Sequence, residues 1–200
     1  MAKLKFTKTE LKKQQDALKQ FRRFLPTLQL KKQQLQFEVR QSLELLEANL
    51  AAQRELAART ADFIALFGDG KTIRLLEEHV RVRQVVRGSA NIAGIAIPTF
   101  ERIDFEERPW SLYYSDWFVD DAISALKDAV RLREAGKILQ EQYDLLSAEL
   151  RTTSQRVNLF EKVKIPECRD NIRKIGIALG DANTTAVARC KIAKRKVAAA

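Results

Sequence analysis

The chain has 200 residues, a formal net charge of +10, and only 7 Gly and 4 Pro. Hydrophobic residues at 46% exclude a disordered tail, and the scarcity of Gly and Pro is unusual for a compact globule. Strong helix formers (Ala, Leu, Glu, Gln, Lys, Arg) fill long stretches, so long helices are expected.

The first expected helix runs from Lys8 to Phe67. A seven-residue ladder can be laid on it: Leu11, Leu18, Leu25, Lys32, Val39, Leu46, Gln53, Thr60, Phe67. Three residues after the first eight stand Gln14, Phe21, Leu28, Leu35, Ser42, Asn49, Leu56 and Phe63. Mostly apolar rungs in that rhythm form the seam of a coiled coil. The polar rungs Lys32, Ser42, Asn49, Gln53 and Thr60 loosen it. Pro26 lies inside this helix and should bend it, because proline lacks an N–H and crowds the preceding turn.

The middle, from Gly68 to Phe118, breaks the rhythm. Gly68-Asp69-Gly70 ends the helix. A short helix is expected over Ile73–Glu78. Val80–Val86 alternates as a strand does. Arg87-Gly88-Ser89-Ala90-Asn91 is expected to turn the chain, Ile92–Ile97 to return it, and Pro98 to stop it, giving a β-hairpin. Ile103–Trp117 reads as an acidic and aromatic loop. The second long helix is expected from Val119 to Lys196. Its seam takes Leu132, Leu139, Tyr143, Leu146, Leu150, Val157 and Phe160, then Ile165, Ile172 and Leu179, with Cys168 and Ile175 interleaved. Pro166 should bend it as Pro26 bends the first.

Neither stripe can be buried by its own helix, and the nearest partner is the other half of the chain. The expected fold is mainly α: a long antiparallel two-helix coiled coil, residues 1–67 and 119–200, joined by a middle region, 68–118, that contains the hairpin. At about 1.5 Å per residue the helices are roughly 90 and 117 Å long. Levelling Phe67 with Val119 sets Lys8 beside Ala178 and Pro26 near residue 160, so a bent shaft is expected. Everything past Leu179 should then project as a single helix.

Charge follows the same axis. Residues 1–40 hold 11 Lys/Arg against 3 acids, residues 161–200 hold 10 against 4, and residues 101–121 hold 7 acids against 2 basic residues. Such a basic end calls for nucleic acid or an acidic protein surface. Arg189, Lys191, Lys194, Arg195 and Lys196 form its densest run, with Lys8 and Lys12 at the other terminus. No aromatic residues interleave with that run, which disfavours base stacking and hence nucleic acid.

Several features tempt a catalytic reading and fail it. Ala65-Leu66-Phe67-Gly68-Asp69-Gly70-Lys71-Thr72 nearly matches a phosphate-binding loop, but has Ala where the first Gly is needed and follows a helix instead of a strand. His79 is the sole histidine, with no second metal ligand at useful spacing and no nucleophile partner. Cys168 and Cys190 lack metal-binding spacing and fall in helical patterns, Cys168 within the seam, which fits a reducing cytoplasm. Trp110, Tyr113, Tyr114, Trp117 and Phe118 read either as a small local core or as an anchor for a partner. Met1–Glu10 is basic and polar with no apolar run behind it, so no signal peptide is expected. No apolar stretch of about 18 residues occurs, so no membrane insertion is expected. Asn183-Thr184-Thr185 matches a glycosylation sequon by chance. No cofactor, metal or catalytic group is expected.

Three segments carry a family resemblance over essentially the whole chain. Asn91-Ile92-Ala93-Gly94-Ile95-Ala96-Ile97-Pro98 looks like an Asn-Ile-Ala-Gly segment. Arg156-Val157-Asn158-Leu159-Phe160-Glu161 followed by Ile165-Pro166 resembles an Arg-Val-Asn-x-x-Glu…Ile-Pro stretch. Thr7 through the Lys-rich Leu11–Leu35 looks like the matching N-terminal helix. The family they resemble is the D subunit of the V/A-type ATPases and ATP synthases. The resemblance implies a non-catalytic central rotor shaft, cytoplasmic and peripheral to the membrane. Its shared-termini tip would enter a hexamer of catalytic and regulatory subunits. The small F subunit would bind it, and a funnel-shaped subunit would link it to the membrane ring that moves H⁺ or Na⁺. The middle-region surface for partners would include Asn91, Ile92, Gly94, Trp110 and Trp117. The competing reading is a basic coiled-coil scaffold or nucleic-acid binder unrelated to ATPases.

Overall fold

The computed structural model describes residues 4–64, 80–106 and 119–198. Helix α1 spans Lys8–Ile64, strand β1 Val82–Ile92, strand β2 Ile95–Phe105 and helix α2 Val119–Leu159; a π-helical turn, Phe160–Lys164, leads into helix α3, Ile165–Ala198. The expected short helix over Ile73–Glu78, the Gly68-Asp69-Gly70 helix end and the loop residues from Glu107 onward lie outside the described residues. Thr7 caps α1, its Oγ1 accepting the Glu10 N–H at 3.2 Å, in a Thr-x-x-Glu arrangement that suits a helix start. Pro26 lies inside α1 on its exposed face. The Arg22 carbonyl that loses an N–H partner there can be hydrated.

The chain forms two compact units, Met1–Gln33 with Arg151–Ala200, and Gln34–Leu150. In the second unit the α1 rungs Leu35, Val39, Ser42, Leu46, Asn49, Gln53, Leu56 and Thr60 are all buried or half-buried, while Phe37, Leu43, Leu45 and Leu50 between them are exposed. On α2, Leu132, Leu139, Tyr143, Leu146 and Leu150 are likewise covered, with Ile138 only 1% exposed beside them. Gln53 Nε2 donates to the Leu132 carbonyl at 3.2 Å and to Asn49 Oδ1 at 2.7 Å. A Cβ at Gly136 would lie 2.8 Å from that Asn49 oxygen, so a glycine stands where α2 meets the amide pair. Gln53 meets Leu132 while Leu35 shares a core with Leu146, so the two helices run antiparallel. The register that sets Lys8 beside Ala178 puts Gln53 opposite Arg133, one residue from the partner found.

The hairpin differs from its expected form. β1 continues through Arg87–Asn91 after a bulge-like register shift between Val86 and Arg87, and the turn is Ala93-Gly94, with φ of 52° and 82°. Positive φ at both central residues is the two-residue turn whose twist matches paired strands. Asn91 Oδ1 accepts the Gly94 N–H at 2.9 Å and braces it. Gly88 pairs with Thr99 and is not a turn residue: a Cβ there would sit 2.6 Å from Thr99 Oγ1. Pro98 does not stop β2, which runs on through Ile103 to Phe105. A two-stranded sheet has only edge strands, so a residue without an N–H is tolerated.

The hairpin packs on the helices of its own unit. Leu35, Ile97 and Leu146 form a buried core, covered by Val39, Ala90, Ile92, Ala93, Ile95 and Leu150. Gln142 Nε2 donates to the Pro98 carbonyl. Arg87 meets Glu141 at 3.3 Å, and Lys127 and Arg131 lie 5.7 and 5.5 Å from the Phe105 ring centre. These exposed charge contacts orient the hairpin more than they stabilise it.

In the first unit, Leu11, Gln14, Leu18, Phe21, Leu25, Leu28 and Lys32 of α1 are half-buried. Opposite them Val157, Ile165, Cys168 and Ile175 are buried, and Phe160, Ile172 and Leu179 are half-buried. Phe21 and Phe160 meet with ring centres 5.1 Å apart and planes tilted by 43°. Uniform rise would place Pro26, not Phe21, at that level, an offset of somewhat over one turn. In the π-turn the Ile165 N–H donates to the Phe160 carbonyl, five residues back.

Leu146→Ala should lower the unfolding free energy of the full chain by about 2–5 kcal/mol, the cost of a cavity in a closed core. Ser42 is 5% exposed and its Oγ has no hydrogen-bond partner. Ser42→Ala should therefore raise stability by up to about 1 kcal/mol. Urea titrations followed by circular dichroism read both. Gly94→Val forces a β-branched residue to positive φ and should cost about 1–2 kcal/mol. Gly94→Asn should cost clearly less in the same titration, since Asn tolerates that region.

Candidate functional site

From Gly180 to Ala198 every residue of α3 is exposed. The apolar rhythm ends at Leu179, and beyond it small and basic residues replace the rungs. The helix there is held by its own backbone and by local bonds: Thr184 Oγ1 donates to the Gly180 carbonyl at 3.1 Å and Thr185 Oγ1 to the Asp181 carbonyl at 2.8 Å. Arg195 and Lys196 in its last turn complement the negative end of the helix dipole. Arg189, Lys191 and Lys194 complete the exposed basic run, against Asp181 as the acid of this segment. Lys8 and Lys12 are exposed on the first turns of α1. The result is an exposed, positively charged helical tip, on which Cys190 is a free, exposed thiol that belongs to no cluster of metal-ligating groups among the described residues.

The middle-region residues divide. Asn91 and Gly94 are exposed at the hairpin turn, where the Asn91 amide oxygen already serves the turn. Ile92 is half-buried against the Leu35–Ile97–Leu146 core, so its side chain is largely spent within the chain. Trp110 and Trp117 lie outside the described residues, as do Tyr113, Tyr114, Phe118, His79 and the loop-like segment 65–72. Pro26 and Pro166 are both exposed.

Among the described residues no group of three or more His, Cys, Asp or Glu gathers as metal ligands would. Cys168 is 6% exposed; burial pushes its thiol above the ordinary range, the Glu167 charge adds to this and Lys164 opposes it. A neutral, enclosed thiol is a packing group. One groove of about 760 Å³ opens between α1 and α2 in the second unit, lined by Leu56, Ala57, Ala122, Ala125 and Leu126 with Asp121 and Arg133 among its polar members. Among the described residues its walls carry no His or Cys.

The profile of the ATP synthase D-subunit family matches residues 10–195. The chain belongs to this family. It is 46% identical to the V-type ATP synthase D subunit of Borreliella burgdorferi, over 97% of this chain and 95% of that protein. It is 32% identical to the D subunit of the V-type ATP synthase of Chlamydia muridarum, over 98% and 97% of the two chains. The corresponding D subunit of Chlamydia pneumoniae is 30% identical over 97% and 93%. Two of the segments that carry the family resemblance fall where regular backbone is broken: Asn91–Gly94 is the hairpin turn, and Arg156–Pro166 contains the π-turn.

Sequence reasoning missed two things here. Thr153, 1% exposed, is a seam rung, and the spacing Leu146, Leu150, Thr153, Val157 would have found it had a polar residue been allowed. The docking of the hairpin on α2 left no periodic signal. A chain ending at Leu179 should lose helical ellipticity in proportion to the deleted segment while its thermal midpoint stays within a few degrees. A larger fall would mean that the tip packs on the rest.

Proposed function

We propose that this protein is the central rotor shaft of a V/A-type rotary ATPase, transmitting torque between the catalytic hexamer and the membrane ring. The observation that supports this best is the exposed basic tip continuing a helix whose earlier turns are packed. A paired segment resists bending and twisting. A lone polar tip can be enclosed by a surrounding sleeve without a large apolar contact that would lock one angle. Unequal contacts around the tip would bias the catalytic sites toward different states, since a ligand shifts an equilibrium only through differential affinity.

In this reading the shaft has no active site, and ATP is hydrolysed or made by its neighbours. Arg189, Lys191, Lys194, Arg195, Lys196, Lys8 and Lys12 face the catalytic and regulatory subunits. The seam Leu18, Leu25, Leu28, Leu35, Leu46, Leu139, Leu146, Val157, Phe160 and Ile172 supplies stiffness. Asn91, Gly94 and the segment with Trp110 and Trp117 face the small F subunit or the funnel-shaped one. Pro26 and Pro166 set the bend. The working division is 1–67, 68–118 and 119–200. Among the described residues no helix is long and apolar enough to cross a membrane; in this reading the chain stands in the cytoplasm beside the ring.

Tagged full-length chain, purified from its native cell, should bring down an ATP-hydrolysing hexamer, and the isolated chain should hydrolyse no ATP. The chain ending at Leu179 should recover less hexamer or leave hydrolysis poorly coupled to ion movement. Recovery of nucleic acid in a salt-dependent manner, with no ATPase partners, would sink the proposal.

A further inference from the structure

We propose that the π-turn at Phe160–Lys164 is a torsional joint, built by one surplus residue in the apolar stripe. In the first unit the covered rungs Thr153, Val157 and Phe160 are followed by Ile165, Cys168, Ile172, Ile175 and Leu179, with half-buried Lys164, Asn171 and Ala178 each adjoining the rung that follows it. Every step is of three or four residues except that from Phe160 to Ile165, which is five. The covered rungs of α1, from Leu11 to Leu28, contain no such step. In an uninterrupted α-helix one surplus residue would rotate everything below it by about 100° and swing Ile165, Cys168 and Ile175 away from their cover. The chain instead spends the residue inside one widened turn, where the Ile165 N–H reaches back five residues to Phe160. Both stripes stay covered.

The turn is built to yield. Glu161, Lys162 and Val163 are exposed, and none of its residues is fully buried. Its backbone therefore receives little side-chain support, and a π-turn is rare and short because its bonding is less favourable than that of an α-helix. Pro166 cannot bond the Lys162 carbonyl, but its missing N–H neither requires nor supplies a surplus residue. The stripe is the cause, and the proline stands two residues past the turn. Placed above the exposed tip, the joint sets the angular phase of the tip and takes up twist that an unbroken helix would pass on. This second half rests on the rotor reading. The first half does not.

Deleting Val163 tests it, since that side chain is 49% exposed and its loss shortens the step from five to four. In the full-length deletion variant, amide exchange across Glu161–Ile165 should slow by about tenfold or more toward that of the flanking helix. Its thermal midpoint should not fall. In complex with the hexamer and membrane ring, the variant should still support hydrolysis, but ions moved per ATP should fall about twofold or more. Val163→Ala, which keeps the length, should match the unaltered chain, and Pro166→Ala should keep the fast exchange. Unchanged exchange or a lowered midpoint in the deletion, loss of fast exchange in Pro166→Ala, or normal coupling by the deletion would each overturn the proposal. Failure of the unaltered chain to assemble would sink the rotor reading alone, because the exchange result still decides whether the joint exists.

Discussion

Mutual cover of two apolar stripes is the constraint on which this molecule depends. A helix of 57 residues presents far more apolar surface on one side than it can shelter itself. In each unit a segment of α1 therefore lies with its rungs covered, opposite covered rungs from the C-terminal half of the chain. The periodicity must hold on both partners at once, so a single surplus residue on one side has to be absorbed locally. The hairpin is a consequence as well. It adds Ile97, Ala90 and Ile95 to a core that Leu35 and Leu146 have already begun.

Polar rungs refine this arrangement. Gln53 ties Asn49 to the Leu132 carbonyl, a contact that a register slip of one residue would break. Half-buried polar contacts of this kind favour one register among several that apolar packing alone would accept. Ser42 has the opposite character, since its hydroxyl is enclosed and unserved. Replacing the amide pair by leucines would be expected to loosen alignment even if it deepened the core.

Both long helices were legible because their signal repeats many times. Misreading one rung, such as Thr153, left the pattern standing. The hairpin was legible as a hairpin but misread in detail, and the reason is local. Gly88-Ser89 looked like a turn because small residues often make one, yet Gly88 is small because Thr99 and Glu101 crowd it from the facing strand. Ala93-Gly94 looked like strand because its neighbours are β-branched. Only the Asn91 side chain, three residues ahead of Gly94, hinted otherwise. The five-residue step at Phe160 was present in the spacing, but spacing does not say whether a helix breaks, kinks or widens. The basic tip was the most legible part of the candidate site, since it needed only the end of a rhythm and a count of charges.

The exposed end of α3 has a thermodynamic consequence of its own. With every residue from Gly180 to Ala198 exposed, its order propagates outward from packed turns that act as a ready nucleus. Each residue farther out is held by the helix–coil balance alone, so fraying begins at Ala198 and moves inward as temperature rises. Warming should therefore shorten the tip gradually, well before the cooperative transition, and whatever encloses it bears the entropic cost of keeping its last turns wound.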